Sequence, residues 1–306
     1  MTQDVEHVRI AEVGPRDGLQ NHTGLVVPTE MKVEFIRRLI AAGHKHIEAG
    51  AFVRPDRVPQ MAQSDEVFGA LDEDYEAGLL EGVRLTGLTP NLIGFERACA
   101  HKSFGEAAVF TAASDEFNQA NIGTTIDGAF ERFEGVFDAA GERSIPVRAY
   151  ISVAFGTLDG QGPNPVQVAD IASKLVEMGA YEVSVGDTIG VGTVTDIHSV
   201  LDVLIPRLGT DRIALHLHDT RGQALANIHA ALLRGIRVFD ASSGGLGGCP
   251  FAPRATGNVA TEDLLYLLRG MGIETGIDAD RQMDASWYIE GILGRLLPSR
   301  ALAAGR

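Results

Sequence analysis

Short apolar runs alternate along the chain with longer amphipathic stretches. The runs lie near residues 8–13, 46–50, 83–88, 107–112, 147–154, 181–186, 213–218 and 236–241. Short, mostly apolar runs of this length are typical of β-strands. The pattern therefore predicts eight strands.

The stretches between these strands repeat apolar residues with the period of an α-helix. In the first stretch, the repeat consists of Met31, Val33, Phe35, Ile36, Leu39 and Ile40. This helix is predicted to begin near Thr29 and to stop at Gly43. Two further helices are predicted over about 165–178 and about 224–233.

Eight strands that alternate with eight helices imply parallel strands joined by crossover helices. Such a sheet either stays open or closes into a (β/α)8 TIM barrel. The count of eight favours the barrel, and Gly-Pro-Arg-Asp-Gly follows the first strand where an open dinucleotide-binding sheet would carry G-x-G-x-x-G. We predict an α/β TIM barrel with additional C-terminal helices, namely a catalytic domain over 1–282 and a helical appendage over 283–306.

The predicted appendage carries an apolar face made of Trp287, Tyr288, Ile292 and Leu296. This face can pack on the barrel or on a second copy of the chain in a homodimer, and the pattern does not choose between them.

Composition and charge narrow the class of partner. The 306 residues carry a formal charge of −15 and include two cysteines. Nucleic acid and anionic membranes both need a basic surface, so neither is an expected partner. Two cysteines cannot build a disulfide framework, and the first residues resemble neither a signal nor a transit peptide. We therefore expect a cytoplasmic protein.

Reactive side chains follow the C-terminal ends of the predicted strands, which in a barrel meet at the rim that carries the active site. They are Arg16 and Asp17 after the first strand, Glu48 in the second, Asp187 after the sixth, His216 and His218 in the seventh, and Cys249 and Asn258 after the eighth.

His216 and His218 give the sharpest local signal. Residues two apart on a strand point the same way, so both imidazoles should face the mouth of the barrel. Such a pair alone favours a structural role or chance over a metal site, and a carboxylate from the opposite side of the barrel reverses that preference. Asp17 can add a carboxylate and Asn258 a carbonyl oxygen. Two nitrogen and two oxygen ligands suit Mg²⁺ or Mn²⁺ first, without excluding Zn²⁺ or Fe²⁺.

Arg16 and Asp17 are neighbours, and a regular strand would point them to opposite faces. The preceding Gly14-Pro15 can end the pleat and re-aim both. Arg16 can then form a structural ion pair with Glu48 or stabilise developing negative charge.

Cys249 lies in a glycine-rich loop, which suits either an incidental thiol or a mobile flap that carries a reactive group. Cys99 is expected to be a small packing residue. The remaining histidines near helices are expected to be solvated, for example His44, His101, His198 and His229.

Long ordered motifs surround these residues: EVGPRDGLQN (12–21), VPQM (58–61), LTPNL (88–92), GDTIGVGT (186–193), HLHDT (216–220), GQALAN (222–227) and GGLGGCP (244–250). With them, the chain resembles the 3-hydroxy-3-methylglutaryl-CoA (HMG-CoA) lyases of the DRE-TIM metallolyase superfamily from about residue 8 to about residue 300. The cysteine loop points to the lyase branch.

The resemblance implies a divalent-metal-dependent retro-Claisen cleavage of HMG-CoA to acetoacetate and acetyl-CoA, a reaction of leucine degradation and ketone-body metabolism. It implies these roles: metal ligation by Asp17, His216, His218 and Asn258, thioester binding by Arg16, pocket lining by Gln20, tuning by Glu48 and Asp187, and proton transfer by Cys249. Reasoning from the residues leaves the proton steps open among Cys249, His216 and Asp187.

Four segments depart from the family pattern, at 54–57, at 157–159, at His22 and at Arg254. Nearly all lie in loops expected at the rim, so they bear on the acyl group more than on the reaction. We expect Arg54, Arg57 or Arg254 to contact CoA phosphates or a substrate carboxylate. Three alternatives stay open: a lyase for a different 3-hydroxy-3-substituted-glutaryl-CoA or related hydroxyacyl-CoA, a Claisen-condensing synthase, and a metal-binding barrel without catalysis.

Overall fold

Eight parallel strands close into a barrel in the computed structural model, which describes residues 6–22, 24–157, 159–248 and 257–305. The strands are β1 Arg9–Glu12, β2 His46–Ala51, β3 Arg84–Leu88, β4 Phe104–Ala112, β5 Val147–Ser152, β6 Glu182–Asp187, β7 Ile213–Leu217 and β8 Val238–Ala241. Each strand pairs with the next in sequence, and β8 pairs with β1. The predicted TIM barrel is confirmed.

The helices cover the outside of the barrel and continue beyond it. They are α1 Thr29–Ala41, α2 Ser64–Glu76, α3 Leu92–Ala98, α4 Asp115–Ile122, α5 Ile126–Arg143, α6 Pro165–Met178, α7 Val194–Leu208, α8 Ala224–Leu233, α9 Thr261–Gly270, α10 Ala279–Leu293 and α11 Arg300–Ala304. The bounds predicted for the helices at 165–178 and 224–233 agree with α6 and α8. The expected one-to-one alternation is broken between β4 and β5, where α4 ends at Gly123 with a φ of 64° and α5 follows.

Local sequence explains where α6 begins and ends. Pro165 occupies its first turn, where a missing N–H costs nothing, and the Asn164 side chain accepts a hydrogen bond from the Gln167 N–H. Gly179 ends the helix with a φ of 119°, a conformation that favours glycine.

The C-terminal helix α10 packs against α1. The Asp278 N–H donates to the Ala42 carbonyl, and the Gln282 side chain pairs with the His44 ring at 2.7 Å. His44 is fully buried, so the expectation of a solvated ring was wrong there. Of the predicted apolar face, Trp287, Tyr288 and Ile292 pack against the core, whereas Leu296 is 72% exposed. The division at residue 283 stays a prediction, although α10 already begins at Ala279.

Of the other residues with a predicted environment, Cys99 agrees with the prediction and His101 does not. Cys99 is half-buried at the C-terminal end of α3 and packs against the core, as predicted. His101 packs against Phe52 and Phe68 and is largely buried, so a solvated ring is wrong for it too. None of the described helices combines the length and the apolar character that crossing a membrane requires.

Glu12 is a buried carboxylate that ties two turns together. One of its oxygens accepts hydrogen bonds from the backbone N–H groups of Gly14 and Ser243, and the other accepts one from the Thr261 hydroxyl. Burial raises the pKa of Glu12 from 4.5 to about 7 because the charged form loses its hydration. The turns that follow β1 and β8 are therefore held by one side chain.

This raised pKa predicts a pH dependence of stability. Between pH 4.5 and about 7, folded Glu12 binds more protons than unfolded Glu12, so its contribution to the free energy of unfolding falls as the pH rises. Glu12→Gln should remove this loss, about 3 kcal/mol over that range, while its amide oxygen can still accept from Gly14 and Ser243 and its NH2 can donate to the Thr261 hydroxyl. Urea unfolding at pH 5 and pH 7.5 measures it, with exposed Glu81→Gln as the control. An unchanged pH dependence in Glu12→Gln contradicts the prediction.

Candidate active site and metal centre

The chain leaves β1 through a single π-helical turn, Gly14–Gly18, which presents two candidate residues to the mouth of the barrel. Single π-turns are frequent at functional sites because they redirect side chains. Here Arg16 donates to Asp17 through Nη1 at 2.9 Å, so both side chains lie together despite being neighbours in sequence. The predicted re-aiming by Gly14-Pro15 is confirmed.

Arg16 is buried and held from below by Glu48. Its Nη2 lies 2.6 Å from the Glu48 carboxylate, which confirms the predicted ion pair. Its Nε is also buried and has no hydrogen-bond partner among the described residues. Burial of the Glu48 carboxyl raises its pKa, although the Arg16 charge opposes that rise. Arg16 thus has a fixed orientation and an unused donor.

His216 and His218 lie side by side, as the strand spacing predicts. Their Nε2 atoms are 3.2 Å apart, and His216 Nε2 lies 3.9 Å from an Asp17 oxygen. One ligand atom from each of these three residues lies within 4.8 Å of the others. The chain therefore contains a candidate metal-binding triad at the mouth of the barrel.

The electrostatics of the triad favour the ligating forms of Asp17 and His218, whereas the Asp240 and Asp17 carboxylates raise the pKa of His216 although burial lowers it. Burial favours a neutral Asp17, but the charges of Arg16, His216 and His218 together with the Asn258 hydrogen bond outweigh it, and the pKa of Asp17 is lowered. Burial lowers the pKa of His218 to about 4, so its ring is neutral at physiological pH. A carboxylate and a neutral imidazole are the ionisation states that ligate metal ions.

Asn258 completes the cluster. Its Nδ2 donates to Asp17 Oδ2 at 2.8 Å and to the Leu246 carbonyl at 3.0 Å. Its Oδ1 is buried without a hydrogen-bond partner among the described residues, an arrangement that is costly unless another group satisfies it. An acceptor oxygen beside a carboxylate and two imidazoles fits a divalent cation.

The remaining predicted site residues differ in where they lie relative to the cluster. Gln20 joins the cluster by donating to Asp17 at 2.8 Å. Asp187 instead accepts hydrogen bonds from the backbone N–H groups of Val191 and Gly192, which lie in the loop that follows its own strand. Burial raises the pKa of Asp187. Cys249 and Arg254 lie outside the described residues.

Sequence reasoning missed the layer directly below the site. Asp240 in β8 lies 3.2 Å from His216 Nδ1 and also pairs with Arg148 in β5. Burial raises the pKa of Asp240, but the charges and hydrogen bonds of Arg148 and His216 together outweigh it, so the pKa lies well below its usual range. Charged residues inside the buried runs VRAYIS and VFDA were the available signal.

A family profile and two curated relatives all match this chain to hydroxymethylglutaryl-CoA lyases. The HMGL-like family profile matches residues 7–289. A 3-hydroxy-3-isohexenylglutaryl-CoA/hydroxy-methylglutaryl-CoA lyase of Pseudomonas aeruginosa is 48% identical, over 97% of this chain and 96% of that protein. A hydroxymethylglutaryl-CoA lyase of Pseudomonas mevalonii is 46% identical over the same shares of the two chains.

Solved structures match over the whole barrel. The crystal structure of the P. aeruginosa hydroxymethylglutaryl-CoA lyase has a TM-score of 0.91 at 47% identity and covers 99% of this chain and 98% of that one. An HMG-CoA lyase from Acinetobacter baumannii, in complex with coenzyme A and 3-methylmalate, has a TM-score of 0.91 at 32% identity and covers 100% and 97%.

The cluster predicts stabilisation by a divalent cation. Mn²⁺ at about 100 times its dissociation constant should raise the free energy of unfolding by about 2.7 kcal/mol, because it binds only the folded site. Calorimetric melting with and without Mn²⁺ measures the effect. His218→Ala should abolish it, whereas His229→Ala, which removes an exposed imidazole on α8, should leave it intact. A full Mn²⁺ effect in His218→Ala would place the ion elsewhere.

Proposed function

The chain belongs to the HMGL-like family, and from this premise we propose that it cleaves 3-hydroxy-3-methylglutaryl-CoA to acetoacetate and acetyl-CoA by a metal-dependent retro-Claisen reaction. The observation that carries the proposal is the position of Arg16, with its unused Nε donor, beside the Asp17, His216 and His218 cluster. The two solved HMG-CoA lyases named above support it, one of them with coenzyme A bound.

The reaction sets two requirements that the site can meet. Breaking the bond beside a tertiary alcohol requires loss of the hydroxyl proton, and the departing carbon needs a cation at the thioester oxygen. A divalent ion held by Asp17, His216, His218 and Asn258 would supply Lewis-acid chemistry. Mg²⁺ or Mn²⁺ suits these ligands best.

We assign the thioester oxygen to Arg16. As the carbon–carbon bond breaks, its electron pair moves into the thioester and forms an enolate. The guanidinium is a fixed planar set of donors, so it can bind this oxygen more strongly as the charge develops. Glu48 prevents Arg16 from turning away, and Gln20 holds Asp17 in place.

Two proton transfers complete the reaction. A base must accept the hydroxyl proton, and an acid must protonate the enolate carbon. Of the three candidates His216, Asp187 and Cys249, we propose Asp187 and Cys249, because a His216 that ligates the metal through Nε2 would have no lone pair there to accept a proton. Burial raises the pKa of Asp187, which suits a group that takes up and returns a proton, whereas Cys249 would enter the site with its loop.

A second candidate substrate is a longer branched 3-hydroxyglutaryl-CoA. The P. aeruginosa relative is named for both 3-hydroxy-3-isohexenylglutaryl-CoA and hydroxymethylglutaryl-CoA, and it is 48% identical to this chain. We also propose a catalytic domain over 1–282 with an appendage over 283–306, which truncation tests. We propose a cytoplasmic location, which cell fractionation tests, and a homodimer, which light scattering tests.

A substrate panel tests the proposal. With Mn²⁺ or Mg²⁺, the protein should release acetyl-CoA from HMG-CoA, and excess EDTA should stop the release. A longer 3-substituted 3-hydroxyglutaryl-CoA measured beside it identifies the preferred acyl group through kcat/KM. Failure to cleave any 3-hydroxyacyl-CoA in the presence of metal would rule out the lyase reaction.

Two side chains should be essential for turnover. Arg16→Ala removes the proposed donor to the enolate oxygen and should lower kcat at least about 100-fold. Cys249→Ala should also lower kcat severely. The matched controls are Arg212→Ala, an exposed arginine just before β7 at the far end of the barrel, and Cys99→Ala. Circular dichroism verifies the fold, and near-normal kcat in either site variant removes the role assigned to it.

The arginines at 54 and 57 are expected to assist acyl-CoA binding. Arg54 is exposed and pairs with Asp56 at 2.7 Å, so a phosphate can reach it from solvent. Alanine at either position should raise KM about twofold to fivefold, because an exposed ionic contact is weak, and should leave kcat unchanged. Initial rates at low and moderate salt measure the effect against Arg212→Ala, and an unchanged KM for every acyl-CoA contradicts it.

A further inference from the structure

His216 has two ring nitrogens, and they face different surroundings. Nε2 points into the cluster, 3.2 Å from His218 Nε2, whereas Nδ1 lies 3.2 Å from Asp240 Oδ2. The two residues stand opposite each other in register on β7 and β8. The barrel backbone itself therefore sets the His216–Asp240 contact.

Asp240 is held from two further directions. Arg148 Nη2 donates to its Oδ1 at 2.7 Å, and the Ser184 hydroxyl donates to its Oδ2 at 2.7 Å. Arg148 is in turn fixed by Glu182 and by the Tyr150 hydroxyl. The carboxylate is buried and can neither rotate nor reach solvent.

An ionised carboxylate only accepts hydrogen bonds, so a neutral His216 must carry its proton on Nδ1 to satisfy this contact. Its Nε2 then has a free lone pair directed at Asp17 and His218. We propose that Asp240 is a positioning residue of the metal centre, which fixes the proton of His216 on Nδ1 and thereby presents Nε2 as a ligand. The inference rests on the metal centre of the proposed function.

The competing interpretation is that Asp240 only neutralises the buried Arg148. That role concerns the stability of the barrel and sets no tautomer. Metal affinity distinguishes the two roles, because replacing the hydrogen-bond partner of a metal-binding histidine typically lowers that affinity about 10-fold to 100-fold. A pure ion-pair role would lower stability and leave the affinity of the folded protein unchanged.

The first measurement uses the wild-type protein without metal. Nitrogen-15 spectra of histidine-labelled protein at about pH 9, where a free imidazole is neutral, report which ring nitrogen carries the proton. His216→Gln assigns the signal. We expect His216 in the Nδ1–H form. The Nε2–H form would overturn the proposal, and this result requires neither substrate nor a stable variant.

The second measurement uses Asp240→Asn, which keeps the shape but cannot accept from both Arg148 and His216. Mn²⁺ affinity, measured by electron paramagnetic resonance on protein whose fold is verified by circular dichroism, should fall about 10-fold to 100-fold. Ser184→Ala is the matched control, since it removes a neighbouring bond but keeps the carboxylate, and its affinity should stay within about threefold of wild type. Wild-type affinity in Asp240→Asn, or an equal loss in both variants, overturns the proposal.

The outcome is independent of the catalytic assignment. A protein that shows Nδ1–H on His216 and the expected loss of Mn²⁺ affinity, but cleaves no acyl-CoA, would retain the positioning role and lose the proposed function. Cleavage of HMG-CoA together with the Nε2–H form would do the reverse.

Discussion

The guanidinium of Arg148 is the constraint on which the barrel interior depends. It is buried among strands, and an unpaired charge in that position would cost many kcal/mol. Glu182 and Asp240 pair with it at 2.7 Å, which ties β5 to β6 and β8. These partners cannot leave without stranding the charge, so their orientations are fixed. The candidate active site therefore lies directly above a layer of buried ion pairs, where an apolar layer would be usual.

That layer reaches the rim through His216. Asp240 holds the ring from below, while Arg16 and Glu48 form a second buried ion pair beside it. An acidic chain can therefore hold a well-oriented cation at the mouth of the barrel. The net charge of −15 describes the outer surface and says little about this interior.

The sequence predicted the barrel because alternating apolar runs and helical stretches leave few other arrangements. It also placed Asp17, His216 and Asn258 together, since parallel strands bring their C-terminal ends to one rim. It did not predict that Asp240 pairs with Arg148, which lies 92 residues away, or that His44 is buried. Such contacts depend on which strands meet across the barrel, and the sequence pattern of a single strand carries no record of them.

Gly247 and Gly257 bring two stretches of backbone into close approach at the mouth of the barrel. A Cβ on Gly257 would lie 2.5 Å from the Cα of Gly247, so only glycine allows the two backbones to approach this closely. Glu12 accepts a hydrogen bond from the backbone N–H of Ser243 just before this close approach, and the β-bridge between His218 and Asn258 holds the chain just after it. A side chain at either glycine would therefore force the two backbones apart, and at Gly247 it would also collide with the Asn258 amide that donates to Asp17.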